Sequence, residues 1–317
     1  EINYSVTSIG YNAFYNCSSL TSVTIGNSVT SIGGSAFAYC SSLTSIDIPN
    51  SVISIGNTAF SNCSSLTSAT IGNSVTSIGG YAFYNCSSLT SVTIGNSVTS
   101  IGSGAFDYCS SLTSITFGNS VTSIGEWAFS NCRSLTSIDI PNSVTSIGDG
   151  AFFDCSSLTS ITFGESLAEI GENAFATSSL LQNITCLGTN PPILYNNSFP
   201  NPNIAIVTVP CGSLEAYSAP TSFWNMLFTD RIEEDCGGET GLEDLNAVEI
   251  SFFPNPTNSK VTFNQAIERI ELMDLVGKTL RTYENESEIN IEQLPAGVYY
   301  LRLTNNEKQT LRKLIKE

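Results

Sequence analysis

Cysteine is the reactive residue that recurs regularly in this chain. Seven of the ten cysteines follow one another at intervals of 23 residues: Cys17, Cys40, Cys63, Cys86, Cys109, Cys132 and Cys155. Zinc sites are typically built from Cys-x-x-Cys pairs or from histidines, and the sequence has neither. Stacked repeats would point all these side chains in the same direction, which disfavours disulfides between them. We therefore interpret the series as buried, packed thiols.

Catalysis by the repeated residues is not expected. A nucleophilic serine needs a base, and the chain contains no histidine. The first lysine is Lys260, and no two carboxylates of the repeats form a pair in one register. Glu169 and Glu172 are three residues apart and are interpreted as solvated. The sequence predicts a protein that is not an enzyme and that has no cofactor or metal site.

The elements that position these cysteines belong to a repeat of 23 residues. Phenylalanines recur in the same register from Phe14 to Phe175. A fixed short period is typical of a solenoid, in which each coil packs against its neighbours. The alternation of Val23 and Ile25 predicts a short strand, and the Ala-Phe-x-x-Cys segment suits one helical turn. Coils stacked about 4.8 Å apart would pair their strands in parallel.

The outward-facing residues of these strands form a second regular series. Alternate residues of a strand face opposite sides, so the neighbours of each buried Val or Ile face solvent. The candidate ligand face consists of Ser22, Thr24, Ser45, Asp47, Ser68, Thr70, Ser91, Thr93, Ser114, Thr116, Ser137, Asp139, Ser160 and Thr162. Short hydroxyl side chains could hydrogen-bond a glycan or a peptide. Alternatively, Thr is simply a favourable exposed strand residue, since the face lacks the aromatic and Arg residues of binding hot spots.

The pattern NSVTSIGxxAFxxCSSLTSIxI resembles the BspA-like leucine-rich repeat over about residues 2–186. The eighth coil departs from this pattern at Glu165, where the Asn is lost, and at Ser178, where the Cys is lost. The resemblance implies a right-handed leucine-rich-repeat solenoid with a parallel sheet on one face, which is the usual ligand surface. It also implies an extracellular or surface setting, with adhesion to a protein or glycan as the usual role.

Two other functions remain open for the same residues. The repeats could act as a structural spacer or coat without a specific ligand. Regular Thr arrays at strand spacing also occur in ice-binding solenoids, although Asp47 and Asp139 interrupt the array and most sheets twist. Substitution of the face by arginine would distinguish binding from spacing, and thermal hysteresis would identify ice binding.

Residues 1–190 are predicted to form about eight coils, and residues 191–235 an irregular ninth coil with a C-terminal cap. Ile193 aligns with Ile170 in the repeat register, and Phe199 lies one residue late. The aromatic residues that follow are Tyr217, Phe223, Trp224 and Phe228. They would cover the open end of the hydrophobic core, which solenoids require for solubility. The segment also resembles the C-terminal caps of BspA-like proteins.

Three further cysteines, Cys186, Cys211 and Cys236, lie outside the regular series. An exported protein can form a disulfide among them, and their spacing does not select the partners. We favour a bond between Cys211 and Cys236, which would tie the cap to the start of the next segment.

Residues 236–250 are predicted to be an acidic linker. The stretch from 230 to 249 carries eight acidic residues and one Arg, with two glycines in its middle. Its carboxylates could in principle bind calcium, but they lack EF-hand spacing. We interpret them as solvated charges.

Residues 251–317 are predicted to form alternating strands and turns, enough for a small antiparallel β-sandwich. They resemble the C-terminal sorting domain of type IX secretion substrates. The residues that carry the resemblance are Pro254, Asn255, Pro256, Asp274, Gly277, Lys278, Leu294, Pro295, Ala296, Gly297 and Tyr299. The resemblance implies export by the type IX machinery to the outer-membrane surface of a Gram-negative bacterium or to the medium. An ordinary adhesive domain is the alternative, because a sandwich does not specify a role.

The charge distribution narrows the choice of partners. The formal net charge is -17, and Arg133 is the only basic residue between residues 1 and 175. Such a surface repels phosphates, so we expect neither nucleic acid nor anionic membrane as a partner. No segment is long enough for a transmembrane helix. We expect a monomer that binds an extracellular protein or glycan, and, since the chain opens on Glu1, upstream sequence with an export signal.

Overall fold

The computed structural model describes residues 2, 5–199, 205–220, 222–236, 252–253, 259–274, 278–295, 297–305 and 308–316. The chain divides into two compact units, Glu1–Asp235 and Cys236–Glu317. Of the predicted acidic linker 236–250, Cys236 is described and residues 237–250 lie outside the described residues.

The first unit is built from short strands, two in most coils. In chain order its elements are β1 (Ser8–Ile9), β2 (Ser31–Ile32), β3 (Ser45–Ile48), β4 (Ser54–Ile55), β5 (Ser68–Ile71), β6 (Ser77–Ile78), β7 (Ser91–Thr93), β8 (Ser100–Ile101), β9 (Ser114–Thr116), β10 (Ser123–Ile124), β11 (Ser137–Asp139), β12 (Ser146–Ile147), β13 (Ser160–Phe163), β14 (Glu169–Ile170), β15 (Asn183–Cys186), β16 (Ile193–Leu194), β17 (Ile206–Pro210), α1 (Leu214–Tyr217), α2 (Phe223–Leu227) and β18 (Ile232–Asp235).

Strands of successive coils pair in parallel. Among the described residues, the two-residue strands form one sheet of nine, in the order β1-β2-β4-β6-β8-β10-β12-β14-β16. The longer strands form a sheet of four, β3-β5-β7-β9, and a sheet of five, β11-β13-β15-β17-β18. Paired residues such as Ser68 and Ser91 stand 23 positions apart. The predicted parallel solenoid is confirmed.

The segment around each repeated Phe connects neighbouring coils without forming a helix. Ala38 donates its backbone N–H to Ser35, three residues earlier, but Phe37 donates to Ala59 of the next coil over 2.7 Å. The N–H groups of Ser35 and Tyr39 also bond to the next coil, at 2.9 and 2.8 Å. Both residues have positive φ, 52° and 63°, which a right-handed helix does not permit. The segment is thus a run of hydrogen-bonded turns rather than the predicted helical turn.

The core of the solenoid is a continuous stack of phenylalanine rings. The ring centroids of Phe60 and Phe83 lie 5.1 Å apart, as do those of Phe83 and Phe106. The Phe83 and Phe106 rings are nearly parallel, with an interplanar angle of 3°. Each ring from Phe37 to Phe175 is fully buried, together with the Ala, Leu and Val residues of the same coil. Every coil therefore contributes one layer to a single core.

At the end of the solenoid the repeat register shifts by one residue. Ile193 pairs with Glu169, and Leu194 pairs with Ile170, so the alignment of Ile193 with Ile170 predicted from the sequence was wrong. The inserted residue turns the Ile193 side chain to solvent and buries Leu194. Phe199 still stacks on the preceding ring, at 5.2 Å.

Aromatic residues of α1 and α2 cover Phe199. Trp224 and Phe228 lie 5.8 and 5.5 Å from its ring, and Tyr217 packs against Trp224. The Trp224 indole N–H donates to the carbonyl oxygen of Pro192 over 2.8 Å, which satisfies its buried polar group. Phe223, which we predicted to be part of this cover, is 59% exposed, because its position on α2 faces away from the core.

The second unit is antiparallel. Its strands are β19 (Phe252–Phe253), β20 (Lys260–Met273), β21 (Thr279–Asn290), β22 (Gly297–Asn305) and β23 (Lys308–Lys316). The strands described here share one hydrogen-bonded sheet. In it β20 pairs with β21 from its first to its last residue, with β19 near its start and with β22 near its end. Its core includes Val261, Ile270, Leu272, Leu301 and Leu314. The predicted antiparallel arrangement is confirmed, and the described strands form one sheet where a small β-sandwich was predicted.

Candidate binding face

The residues of the predicted ligand face lie on two of the parallel sheets. The eight positions from Ser45 to Thr116 come together on β3, β5, β7 and β9. The four positions from Ser137 to Thr162 lie on β11 and β13, in the neighbouring sheet. Ser22 and Thr24 belong to the first coil, in a described stretch that is not part of a strand. We call the eight positions on β3, β5, β7 and β9 the strand face.

The strand face presents polar groups that the protein itself does not use. All eight of its side chains are exposed, and they alternate with buried residues such as Ile46 and Val92. In the described part of the chain, none of the fourteen predicted face side chains makes a hydrogen bond or an ion pair. Their hydroxyl and carboxylate groups are therefore free to bind a ligand.

Threonines elsewhere on the coils behave differently. The Thr67 hydroxyl donates to the carbonyl oxygen of Thr44 in the preceding coil over 2.9 Å, and the Thr90 hydroxyl repeats this bond to Thr67 over 3.0 Å. A second such series joins Thr99 to Thr76 over 3.1 Å. These hydroxyls support the contact between coils, whereas those of the strand face do not.

A break separates the two sheets that carry the predicted face. It lies between β9 and β11, directly before a coil with the sequence SIDIPN, and the first coil is separated from β3 at the other SIDIPN sequence. In a later coil, Leu187 donates its backbone N–H to Phe163 of the coil before it. Pro49 and Pro141 occupy the position of Leu187 and have no N–H, so this bond is unavailable at both breaks.

The regularly spaced cysteines are packed thiols. Six of the seven are fully buried, and Cys17 is exposed. The Cys63 thiol donates to the carbonyl oxygen of Phe37 over 3.2 Å. Burial raises the pKa of the Cys40 thiol to about 11 and that of Cys63 to about 12. These groups therefore stay protonated near neutral pH and do not supply the thiolate that metal binding or nucleophilic attack requires.

The cysteines outside the regular series are in different states. Cys211 and Cys236 are disulfide-bonded. Cys186 is a buried free thiol on β15, and burial raises its pKa to about 12.

Part of the predicted sorting motif forms local contacts in the second unit. Asp274 accepts a bond from the backbone N–H of Lys278 over 2.9 Å, which closes the turn between β20 and β21. The Tyr299 hydroxyl donates to the carbonyl oxygen of Pro295 over 2.9 Å. Leu294 packs against the core, and Gly297 begins β22. The remaining motif residues, Pro254, Asn255, Pro256, Gly277 and Ala296, lie outside the described residues.

Sequence reasoning missed a second group of exposed side chains, on the turns around the buried phenylalanines. Tyr39, Tyr81, Tyr108 and Trp127 project from these turns and are between 38% and 46% exposed. They do not share one register position, so a search for a strict 23-residue period does not find them. The sequence signal that could have revealed them is the presence of aromatic residues at the variable positions on either side of each Ala-Phe pair.

The repeats match a known family. Residues 1–112 and 99–219 match the BspA type leucine rich repeat region, in six copies. The chain belongs to the BspA type leucine-rich-repeat family. Residues 251–317 match the secretion system C-terminal sorting domain. No curated protein matches the chain.

Solved bacterial structures are similar to the BspA type repeats. A leucine-rich repeat protein of T. pallidum is 29% identical, with a TM-score of 0.48 over 51% of this chain and 78% of its own. A leucine-rich cell surface protein of Faecalibacterium prausnitzii is 29% identical, with a TM-score of 0.33 over 73% of this chain and 77% of its own. A leucine-rich repeat protein of Bacteroides ovatus is 25% identical, with a TM-score of 0.31 over 73% and 87%.

The match of the C-terminal unit locates this BspA type protein. A secretion system sorting domain directs export, so the chain is handled by the type IX machinery and reaches the cell surface or the extracellular space. No helix in the described part of the chain combines the length and the apolar character needed to cross a membrane.

Proposed function

We propose that the BspA type repeats are a binding module of an adhesin-like exported protein, which contacts an extracellular protein or glycan through the strand face and catalyses no reaction. The observation that carries this proposal is the state of the strand-face hydroxyls. They are exposed and make no bond within the described chain, whereas threonines beside them bond to the preceding coil. A rigid array of unused polar groups loses little conformational entropy when a ligand binds.

The geometry favours the four-stranded sheet as the centre of this module. Its strands hold the positions from Ser45 to Thr116 in one continuous register, with Ser68 opposite Ser91 and Thr70 opposite Thr93. Asp47 places one carboxylate at the edge of the array. A ligand that spans several coils would meet the same pair of side chains at each step.

The chemistry of the chain supports a role in binding. The chain has no histidine to act as a base, and its buried thiols remain protonated. Serine or threonine of the strand face would therefore act as hydrogen-bond donors and acceptors rather than as nucleophiles.

The test is a charge substitution on the strand face. The variant Thr70→Arg, Thr93→Arg, Thr116→Arg would be compared with wild type for saturable binding to a printed glycan array and to surfaces coated with collagen, laminin or mucin. Arginine at three neighbouring positions blocks close contact, so binding should weaken by at least about tenfold. Circular dichroism and the melting temperature would show that the fold is kept.

A matched control uses threonines at the same spacing that directly precede three strands of the nine-stranded sheet. Thr76→Arg, Thr99→Arg, Thr122→Arg replaces exposed residues whose hydroxyls bond only to the preceding coil. This variant should bind the probes as wild type does. If both variants bind equally well, the strand face is not the binding surface.

The test also decides between the other functions. A wild-type protein without saturable binding to any of these probes would favour the structural spacer or coat. Thermal hysteresis in dilute solution would favour ice binding by the threonine array, and its absence would remove that function.

A further inference from the structure

A second candidate surface lies on the turns of the solenoid. We call it the aromatic row and define it as Tyr39, Tyr81, Tyr84, Tyr108 and Trp127. Tyr81, Tyr84 and Trp127 are directly adjacent to a buried Ala-Phe pair, and one residue separates Tyr39 and Tyr108 from theirs, so the row covers four coils. Four of them are between 38% and 46% exposed, and Tyr84 is half-buried among them. A protein of this size would ordinarily bury aromatic side chains or use them at an interface.

The rings of the aromatic row hold one another in place. Tyr84 lies 5.8 Å from Tyr81 and 5.8 Å from Tyr108, edge to face in both pairs, with interplanar angles of 74° and 71°. Trp127 makes a similar contact with Phe153, at 5.4 Å and 64°. These rings are therefore fixed before a ligand arrives, which reduces the entropy lost on binding.

The backbone of the aromatic row adopts a conformation that its residues disfavour. Tyr39, Tyr81, Tyr108 and Trp127 have φ between 56° and 63°, in the left-handed region. This region is costly for bulky side chains and much easier for Asn or Gly. Several other coils carry Asn or Gly at the matching positions, for example Asn62, Asn85, Asn131, Gly104 and Gly150, and others carry a small polar residue such as Ser35 or Asp154. The aromatic residues thus stand where smaller residues would suit the backbone better.

Contacts within the protein cover only part of the surface of these aromatic side chains. The rings of Tyr81 and Trp127 lie over Gly104 and Gly150 of the next coil, where a Cβ would contact them. Their exposed surface remains unused. In the described coils, no hydrogen bond involves the tyrosine hydroxyls of the aromatic row.

The charge of this surface restricts what can bind to it. Asp47 is the only charged residue between residues 5 and 106, and it lies on the strand face, whereas Asp107 and Glu126 directly precede Tyr108 and Trp127. A typical protein partner carries many charged side chains, which would lose hydration beside Tyr39, Tyr81 and Tyr84 without meeting an opposite charge. A polyanion would find no cation near Tyr39 or Tyr81. An uncharged ligand is the one that this surface complements.

The groups around the aromatic row suit a ligand with many hydroxyls. Tyr, Ser, Asn and Gly dominate these turns, which is the composition of antibody binding loops. The side chains of Asn62 and Asn85 form an amide chain, with a bond of 2.9 Å, beside the tyrosines. At the centre, the buried Asp107 accepts a bond from the Asn131 amide over 3.1 Å. Sugar rings offer apolar faces to such aromatic rings and hydroxyls to such amides.

We propose that the aromatic row binds an uncharged polysaccharide chain laid along successive coils. The row is separate from the strand face, so this inference does not depend on the function proposed for that face. A polymer ligand fits because the rings recur along several coils rather than closing around one pocket.

The experiment compares polysaccharide binding by the full chain and by a variant built from its own repeats. Tyr39→Asn, Tyr108→Asn, Trp127→Gly introduces the residues found at the matching positions of other coils. Affinity electrophoresis would use native gels that contain galactomannan, laminarin or, as a polyanion, polygalacturonate. Wild type should be retarded by at least one of the two neutral polymers, and the variant should bind it at least about tenfold more weakly.

The melting temperature distinguishes a role of the aromatic row in ligand binding from a role in stabilising the fold. Asn and Gly suit the left-handed backbone, so the melting temperature of the triple variant should equal or exceed that of wild type. Tyr108→Phe provides a second variant that keeps the ring and removes the hydroxyl, and it should bind several-fold more weakly. The strand-face variant Thr70→Arg, Thr93→Arg, Thr116→Arg should bind polysaccharide as wild type does.

Tryptophan fluorescence gives an independent signal. Trp127 is 38% exposed and Trp224 is 1% exposed, so an emission change on adding the retarding polymer reports stacking at Trp127. The proposal is overturned if neither neutral polymer retards wild type, if the triple variant is retarded equally, or if only polygalacturonate retards the chain. If wild type binds a protein but no polysaccharide, and the triple variant loses that binding, the row would be assigned to a protein partner. This outcome would also overturn the proposal.

Discussion

The thiol of Cys86 donates a hydrogen bond to the carbonyl oxygen of Phe60, in the preceding coil, over 3.2 Å. The same bond recurs from Cys40 to Cys155, with lengths of 3.2 to 3.5 Å. It gives a second donor to a backbone carbonyl inside the core, since the Phe60 oxygen also accepts from the backbone N–H of Cys63 over 3.3 Å. The repeated cysteine thus joins coils through a weak bond and through close packing.

Removing this thiol should destabilise the solenoid. Cys86→Ala leaves a small cavity and removes one of the two bonds to the Phe60 carbonyl. We therefore expect a loss of about 1–2 kcal/mol in the free energy of unfolding, measured by urea denaturation. Cys17→Ala is the matched control, because Cys17 is exposed. A loss of the same size in both variants would show that the buried bond and packing contribute nothing specific.

Stability should also fall in alkaline solution. Burial raises the pKa of the Cys63 thiol from 9.0 to about 12 and that of Cys40 to about 11. The folded state therefore holds these protons more tightly than the unfolded state. This contribution is fully present below about pH 9 and is lost as the pH rises toward about 11–12. Urea midpoints across this range should fall for wild type and fall less for Cys63→Ala; parallel curves would contradict the prediction.

The phenylalanine stack should be sensitive to a single truncation. Phe83 is fully buried between Phe60 and Phe106, and coils bonded on both sides cannot collapse into a hole. We expect Phe83→Ala to cost about 3–5 kcal/mol in calorimetric or urea unfolding. Phe83→Leu, which leaves less empty volume, should cost clearly less. Similar losses for the two variants would mean that ring volume is not what stabilises the stack.

In the stacked coils from Gly33 to Gly171, the glycine after each short strand leaves no room for a side chain. A Cβ on Gly125 would lie 2.7 Å from the carbonyl oxygen of Ile101 in the preceding coil. Gly125→Ala should therefore push two coils apart and cost about 1–3 kcal/mol. Gly10, in the same turn of an earlier coil, has nothing within 4 Å of its Cβ position, so Gly10→Ala should be nearly neutral. Thermal melting of the two variants tests this contrast.

The C-terminal unit should be necessary for surface delivery. Deletion of residues 251–317, which match the sorting domain, should leave the repeats in the periplasm of a host with type IX secretion. Cell fractionation and protease accessibility would measure this. Aspartate at position 274 closes the turn before β21, so Asp274→Ala should reduce export in part. Equal surface levels for the full and the deleted chain would refute the role of this unit.

The 23-residue period allowed much of the fold to be predicted. Strict recurrence of Phe, Leu, Val and Ile identifies the buried positions, and alternation around Val23 or Val92 identifies the outward face. The same alternation predicts that the polar side chains of Ser68 and Thr70 lie on the outward face. Stacking of identical coils then requires a parallel arrangement, because each residue meets its own equivalent.

Departures from the 23-residue period could not be predicted as directly from the sequence. The turn around Phe37 bonds to the next coil because Ser35 and Tyr39 take a left-handed backbone, a choice that propensity for L residues opposes. The shift before Ile193 comes from one inserted residue, and the sequence does not show whether Ile193 or Leu194 then enters the core. The break before Pro141 reflects the loss of one backbone donor between coils. Each depends on contacts between coils that one coil's sequence does not display.

The three backbone bonds that each turn makes to the next coil determine how the solenoid responds to pulling. These bonds run from coil to coil, so a force that separates the ends of the stack acts along them and opens them one coil at a time. Each detached coil releases 23 residues, or roughly 80 Å of extended chain. A load on the two ends of the stack would therefore lengthen the chain in steps of one coil.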